Sequence, residues 1–326
     1  MATKRAREIP PTVDDILHYS RIVMLNDPFK EIAPKEEDRH FRALFGCSPD
    51  VSLILWYKLL RNDLVPDKGT ILHMLWTLMH CKIYPKWTTM KKLTSADPKT
   101  LRHWIGLFRD SIALLECSVI RWSKRKKGDQ LNDCVVSVDC VDFPIPHAGR
   151  RFHTHKWKFH SALRYEIAVS IIHGECVWIN GPYEAGLWND IMIFRNALLH
   201  ELEDGERVES DNGLRGVSPQ YAKCPLSIGN LVECEDMQQQ VRSRHETINK
   251  RFKQWRIMKN IYMGSIEHHG GFFRTVAIVT QLCIEHGEPL FSIAYEDPHF
   301  DDDSYFQEPA SNNDSENEEW DRTVAS

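Results

Sequence analysis

The chain has 326 residues, of which 42% are apolar and 27% charged, with a formal net charge of −5. That length suggests one or two domains, and that composition excludes a chain that is disordered, collagen-like or held together by disulfides. The charge is uneven: residues 296–321 hold 11 Asp and Glu and no Lys or Arg, and setting these and Arg322 aside turns −5 into +5 for the remainder, so the pattern is a mildly basic body with an acidic tail.

Residues 1–35 read as a polar N-terminal arm with four prolines and one short helix near 14–25. They contain no apolar core of a secretory signal. From 36 to 120 the apolar spacing is helical. Ser48 caps a helix over 48–60 with Pro49 in its first turn, and 69–85 is a second helix, apolar nearly all round and therefore central. Its greasiest part, 71–79, is shorter than the roughly 18 apolar residues a membrane span needs. The segments 88–93 and 98–115, the latter capped by Asp97, read as helix, turn, helix. A helix-turn-helix uses the N-terminal residues of its second helix on base edges, which here are Lys99, Thr100, Arg102 and His103; a plain helical hairpin is the alternative. Residues 121–133 form a basic linker whose RWSKRKK suits phosphate contact or nuclear targeting.

After this linker the period changes. CVVSVDC (134–140), 163–172 and 175–180 read as strands, the last two joined by a tight turn at His173-Gly174. A helix over 189–202, a strand at 206–211, an irregular stretch at 212–236, a long helix over 237–258 and another over 275–286 follow. Beyond 295 the chain is acidic and rich in Ser and Asn. Short connections between the first three strands imply antiparallel pairing, and a later strand after a crossover helix implies a parallel addition. The expected fold is mixed α/β: an all-helical domain (36–120), then a ribonuclease-H-like catalytic domain (134–295), with the tail at 296–326. Nine cysteines without a C-x-x-C pair read as reduced thiols of an intracellular protein.

Three acids stand where a metal site would want them. Asp139 closes the β-branched run, Asp211 closes ERVESD, and Glu246 lies within the long helix. At about 100° per residue, Arg242, Asn249, Lys250 and Lys253 fall within about 60° of Glu246, with Val241, Ile248, Phe252 and Trp255 opposite. This face is either solvated, with a Glu246–Lys250 pair, or a carboxylate ligand set among phosphate-gripping cations. A second acid, Asp142, lies three residues past Asp139, but the β-branched run points to Asp139. Farther along, RRFHTHKWKFHSALR (150–164) interleaves Arg150, Arg151, Lys156 and Lys158 with aromatic residues. That suits either a hairpin lying on phosphates or a half-buried strand.

SVDCVDF (137–143), residues 178–199, GERVESDNGLRG (205–216) and RHETINKRFKQW (244–255), taken in that order, resemble the DDE superfamily endonucleases, closest to the Harbinger/PIF-type transposases. Cys140 and Val141 replace the Gly and Thr of the family's first turn, and Leu214 replaces an aromatic residue. The resemblance implies a DNA transposase that cuts phosphodiester bonds and transfers 3′ ends with two Mg²⁺ or Mn²⁺ ions held by Asp139, Asp211 and Glu246. It also implies Asp190 as a further family acid, here expected to cap the helix that begins beside it. The implied partners are double-stranded DNA, as transposon ends and target, and a Myb-like DNA-binding protein, in a nuclear setting. No membrane partner is expected, and an oligomer is compatible with this reading. A domesticated copy that binds DNA or protein without turnover is the alternative.

Overall fold

The computed structural model describes residues 10–25, 32–126, 134–146, 148–154, 161–225, 232–293 and 295. In chain order the first helices are α1 (Val13–Leu25), α2 (Pro34–Phe45), α3 (Pro49–Arg61), α4 (Ile71–Ile83), α5 (Trp87–Thr94), α6 (Pro98–Ala113) and the single turn α7 (Glu116–Val119). Their starts are set locally. Ser48 Oγ accepts from the Val51 amide at 3.1 Å, and Asp97 Oδ1 accepts from the Lys99 amide at 2.8 Å, each with a proline in the first turn. From Met74 to Cys81 every residue of α4 is buried, as its all-round apolarity requires. Among the described residues no single helix is long and apolar enough to cross a membrane.

The strands are β1 (Cys134–Ile145), β2 (Ser161–Ser170), β3 (Cys176–Glu184), β4 (Arg207–Ser210) and β5 (Ala222–Lys223), in one sheet of order β3-β2-β1-β4-β5. The pairs β1–β2 and β2–β3 are antiparallel, while β4 runs parallel to both β1 and β5. The fold is therefore mixed α/β. Helix α8 (Asp190–Asn196) makes the crossover from β3 to β4, and α9 (Val232–Lys253), α10 (Arg256–Lys259) and α11 (Ile266–Glu285) follow β5.

Several boundaries differ from those expected. The first strand continues through Asp142 to Ile145, because β2 pairs with it over that whole length. Helix α8 is short and gives way to a 3-10 turn at Leu198–Glu201. The long helix starts earlier, at Val232, and stops at Lys253, where Trp255 turns inward beneath Gly46. Helix α11 begins nine residues ahead of the expected start, through a His-His-Gly-Gly run that sequence propensity disfavours. Packing accounts for it: a Cβ on Gly271 would lie 2.9 Å from Arg109 Cδ, so the glycine lets α6 approach.

The sheet separates two apolar layers. One face carries Val141, Phe143, Tyr165 and Ile167 into a core shared with α9, α11 and the helices before the sheet. The other carries Val136, Val138, Ala168 and Val208 against Phe194 and Leu198. Residues up to Tyr295 form one compact unit, so residues 36–120 share their core with the sheet.

Candidate active site

The last parallel pair between β1 and β4 is Val138 with Ser210. Asp139 and Asp211 are the next residue on each strand, so two neighbouring strands each deliver a carboxylate just where their pairing stops. Asp139 is thus mid-strand in β1 but terminal to the β1–β4 ladder. Ligand sites in open α/β sheets favour such ends. The two acids line one cleft with Cys140, Glu166, Asp190 and Leu214, enclosing about 10 Å³, close to the space of one water molecule.

Each acid is held by its surroundings. Asp139 Oδ2 accepts from Asn249 Nδ2 at 2.8 Å, and Asp211 Oδ1 accepts from the Gly213 amide at 2.8 Å. A Cβ at position 213 would lie 2.8 Å from Asp211 Oδ1 and 3.1 Å from Asp190 Oδ2, so glycine there lets two carboxylates crowd one spot. Asp190 is the first residue of α8 and not its cap; Asn189 caps the helix by accepting from the Met192 amide at 3.0 Å. Instead Asp190 Oδ1 accepts from Arg164 Nη1 at 2.9 Å. The same guanidinium grips Asp142, Nε to Oδ1 at 2.7 Å and Nη2 to Oδ2 at 3.0 Å. Asp142 is buried in this clamp and does not line the acidic cleft, whereas Asp139 does.

Glu166 stands directly across β1–β2 from Cys140 and is fully buried. Burial raises its pKa to about 7; a hydrogen bond from Trp178 Nε1 at 2.9 Å opposes the rise, and the charge of Asp190 adds to it. Its Oε1 has no hydrogen-bond partner within the described residues. Burial, then the charges of Asp190, Glu166 and Asp139, push the Cys140 thiol well above its ordinary value. It stays protonated and is no nucleophile.

The docking of α9 decides which of its polar residues meets the acids. Ser137 Oγ lies 2.9 Å from His245 Nδ1, and two residues farther along β1 Asp139 meets Asn249, four farther along α9. Two strand residues and four helix residues both advance roughly 6–7 Å, so the helix runs along the strand with residues 245 and 249 facing it. Glu246 is turned about 100° from His245 and about 60° from Asn249. Its side chain is 69% exposed, pairs with Lys250 Nζ at 3.6 Å and does not line the cleft. Of the three acids expected together, the cleft holds Asp139 and Asp211. The rest of the helix sits as its pattern requires: Val241, Ile248 and Phe252 are buried, as is Trp255 just past its end, with Lys250 and Lys253 exposed.

The cations form separate groups. Lys250 and Lys253 line a second cleft, of about 500 Å³, with Lys82, Arg256, Lys259 and Asp142. Arg242 is half-buried and donates to the Gln238 carbonyl at 3.2 Å. Arg150 and Arg151 are exposed on a 3-10 turn, Arg151 pairing with Glu184 at 2.8 Å. Lys99 and Arg102 are exposed on α6, the Arg102 guanidinium 4.9 Å from the centre of the Trp87 ring. Lys156 and Lys158 lie outside the described residues.

Glu166, Lys82, Arg256 and Lys259 were not singled out from sequence, and Asn249 stood there only as a neighbour of Glu246 on the polar face of the helix. A lone acid inside the apolar strand LRYEIAVSII is a usable signal for Glu166, since a buried carboxyl is costly without a purpose. Lys82 had none, since it comes from a helix distant in sequence. Among the described residues no group of three or more His, Cys, Asp or Glu side chains is arranged to hold a metal ion. The donors at the cleft are nevertheless hard carboxylate oxygens. A pair of them completed by substrate phosphate is the kind of set that suits Mg²⁺. No family model, curated protein or solved structure matches the chain.

Proposed function

We propose that the chain is a DDE-type DNA endonuclease and transposase built on a ribonuclease-H-like sheet. The observation that carries this reading is the placement of Asp139 and Asp211 side by side where the parallel β1–β4 ladder ends, in a cleft with Asp190 and Glu166. The strand order, with three antiparallel strands and then two parallel additions, supports the fold assignment.

In this reading Asp139 and Asp211 would hold Mg²⁺ or Mn²⁺, which would supply positive charge to an in-line phosphodiester displacement. Asn249 fixes the Asp139 carboxylate, the Gly213 amide fixes Asp211, and Arg164 orients Asp190. Glu246 is the third carboxylate of the proposal. Its pairing with Lys250 is solvent-exposed, so giving that pair up costs less than about 1 kcal/mol. Lys250, Lys253, Arg256 and Lys259 grip the phosphates of the strand beside the cleft. The proposed partners are DNA ends, target DNA and a Myb-like protein in the nucleus.

Nicking of supercoiled DNA in Mg²⁺ or Mn²⁺ tests this. The wild-type chain should nick, and Asp139→Asn and Asp211→Asn should each abolish nicking while leaving DNA affinity in place. Nicking that survives both substitutions would sink the assignment. A second reading, a domesticated binder without turnover, is favoured by the exposure of Glu246 and by Cys140 beside Asp139. It predicts retained DNA affinity and no nicking in any divalent cation.

A further inference from the structure

A cavity of about 600 Å³ opens between α4, α5, α6 and the start of α11, within the size range of small-molecule sites. Its walls are largely flat rings: Trp87, Tyr84, Tyr262 and Phe272, with His80 stacked on Trp87 at 5.0 Å and 16° between planes. Its cations differ in availability. Arg109 is neutralised by Asp110, through contacts of 2.7 and 2.8 Å. Lys86 and Arg102 also line the cavity; both are exposed, and neither forms an ion pair among the described residues.

Three further features converge there. The 20-residue helix α11 starts at the cavity through Ser265; its carbonyl accepts from the His268 amide at 2.9 Å, but its side chain makes no capping bond to the amides of Ile266 and Glu267. Glu267, in that first turn, is exposed and not part of the lining. His80 is only 5% exposed, lines the cavity, and its Nδ1 has no hydrogen-bond partner among the described residues. Finally, Gly106 interrupts the middle of α6, where glycine weakens a helix. Packing does not explain it: a Cβ there would meet nothing within 4 Å. What a side chain at 106 would occupy is the cavity itself, which Gly106 lines.

From this convergence we propose that the cavity binds a nucleotide unit, its base against the aromatic wall and its phosphate at Lys86, the α11 N-terminus and Arg102, whose guanidinium rests over the Trp87 ring. Rings stack any base by its face, and the rim cations select an anion over a neutral aromatic compound. His80, stacked on Trp87, braces that ring from behind. The site is separate from the acidic cleft and does not depend on the nuclease reading. The unit is either a free mononucleotide or the terminal nucleotide of a single strand.

The test is calorimetric titration of the full chain in EDTA with dAMP and TMP, with 5′-phosphorylated short single strands, and with inorganic phosphate. The wild type and Asp139→Asn should bind a mononucleotide or a strand alike, which separates this site from the proposed active site. Arg102→Gln should weaken binding roughly tenfold or more. Gly106→Leu should abolish binding while raising the melting temperature, because leucine fills open space on a helix that prefers it to glycine. Lys92→Gln, exposed on α5 and outside the lining, should leave binding unchanged. Mononucleotide binding would mark a free-ligand site, and binding by strands alone a site for a strand end. The proposal is overturned if neither binds, if Gly106→Leu binds as well as the wild type, or if inorganic phosphate matches the nucleotides.

Discussion

Asn249 donates one amide hydrogen to Asp139 and leaves its own Oδ1 buried without a partner among the described residues. A side chain that orients a metal-holding carboxylate typically matters by 10–100-fold. Asn249→Ala should therefore slow nicking by about that factor, measured on supercoiled plasmid, with DNA affinity unchanged. Glu246→Gln removes only an exposed pair and should shift stability by less than about 0.5 kcal/mol. If it also leaves nicking intact, Glu246 does not belong to the machinery. Glu166 gives a pH signature. Its folded pKa of about 7 lies above the ordinary carboxyl value, so the folded protein keeps a proton that the unfolded chain releases. Stability from this group is therefore full below the ordinary value and is lost as pH rises through 7. Glu166→Gln should stabilise the metal-free protein at pH 8 by up to roughly 3 kcal/mol and do little at pH 4, as urea titrations at the two pH values would reveal.

Helix α9 shows both the reach and the limit of periodicity. Its apolar stripe was legible, because burial at 3.6-residue spacing leaves Val241, Ile248 and Phe252 on one side whatever they pack against. Phe252→Ala should cost about 3–5 kcal/mol by chemical denaturation. Lys253→Ala should cost almost nothing in stability, yet flatten the salt dependence of DNA binding by about one unit of slope. The wheel also placed Asn249 beside Glu246. It had no means of choosing between them, since only the docking angle on β1 selects the residue that faces Asp139. The same holds for the strands. The β-branched start of β1 was readable, but its continuation through Asp142 to Ile145 rests on the ladder with β2, where Arg164 stands opposite Asp142, a pairing that spacing along one chain does not encode. With two residues, β5 has no periodicity to read.

At the scale of the whole molecule, charge and core pull in different directions. The basic cleft and exposed Lys99 belong to a body whose C-terminal tail carries the opposite sign. Deleting 296–326 should tighten non-specific DNA binding at low ionic strength and do so less as salt approaches 0.1 M, where the screening length is about 10 Å; filter binding across a salt series would measure it. The core ties the chain together by contrast. Phe272, Val276, Val279 and Cys283 of α11 belong to one apolar cluster with Leu55, Leu75 and Phe108 of the early helices and Tyr165 of the sheet. That shared cluster has a bearing on modularity. A fragment cut between the helices and the sheet would leave both pieces with raw apolar faces, prone to aggregate and not to function alone. Heating should accordingly give a single cooperative transition, with matching calorimetric and van't Hoff enthalpies. An exchange of the helical region for another, in the laboratory or in descent, would have to bring along the partner surface for α11 or leave behind a chain unable to fold.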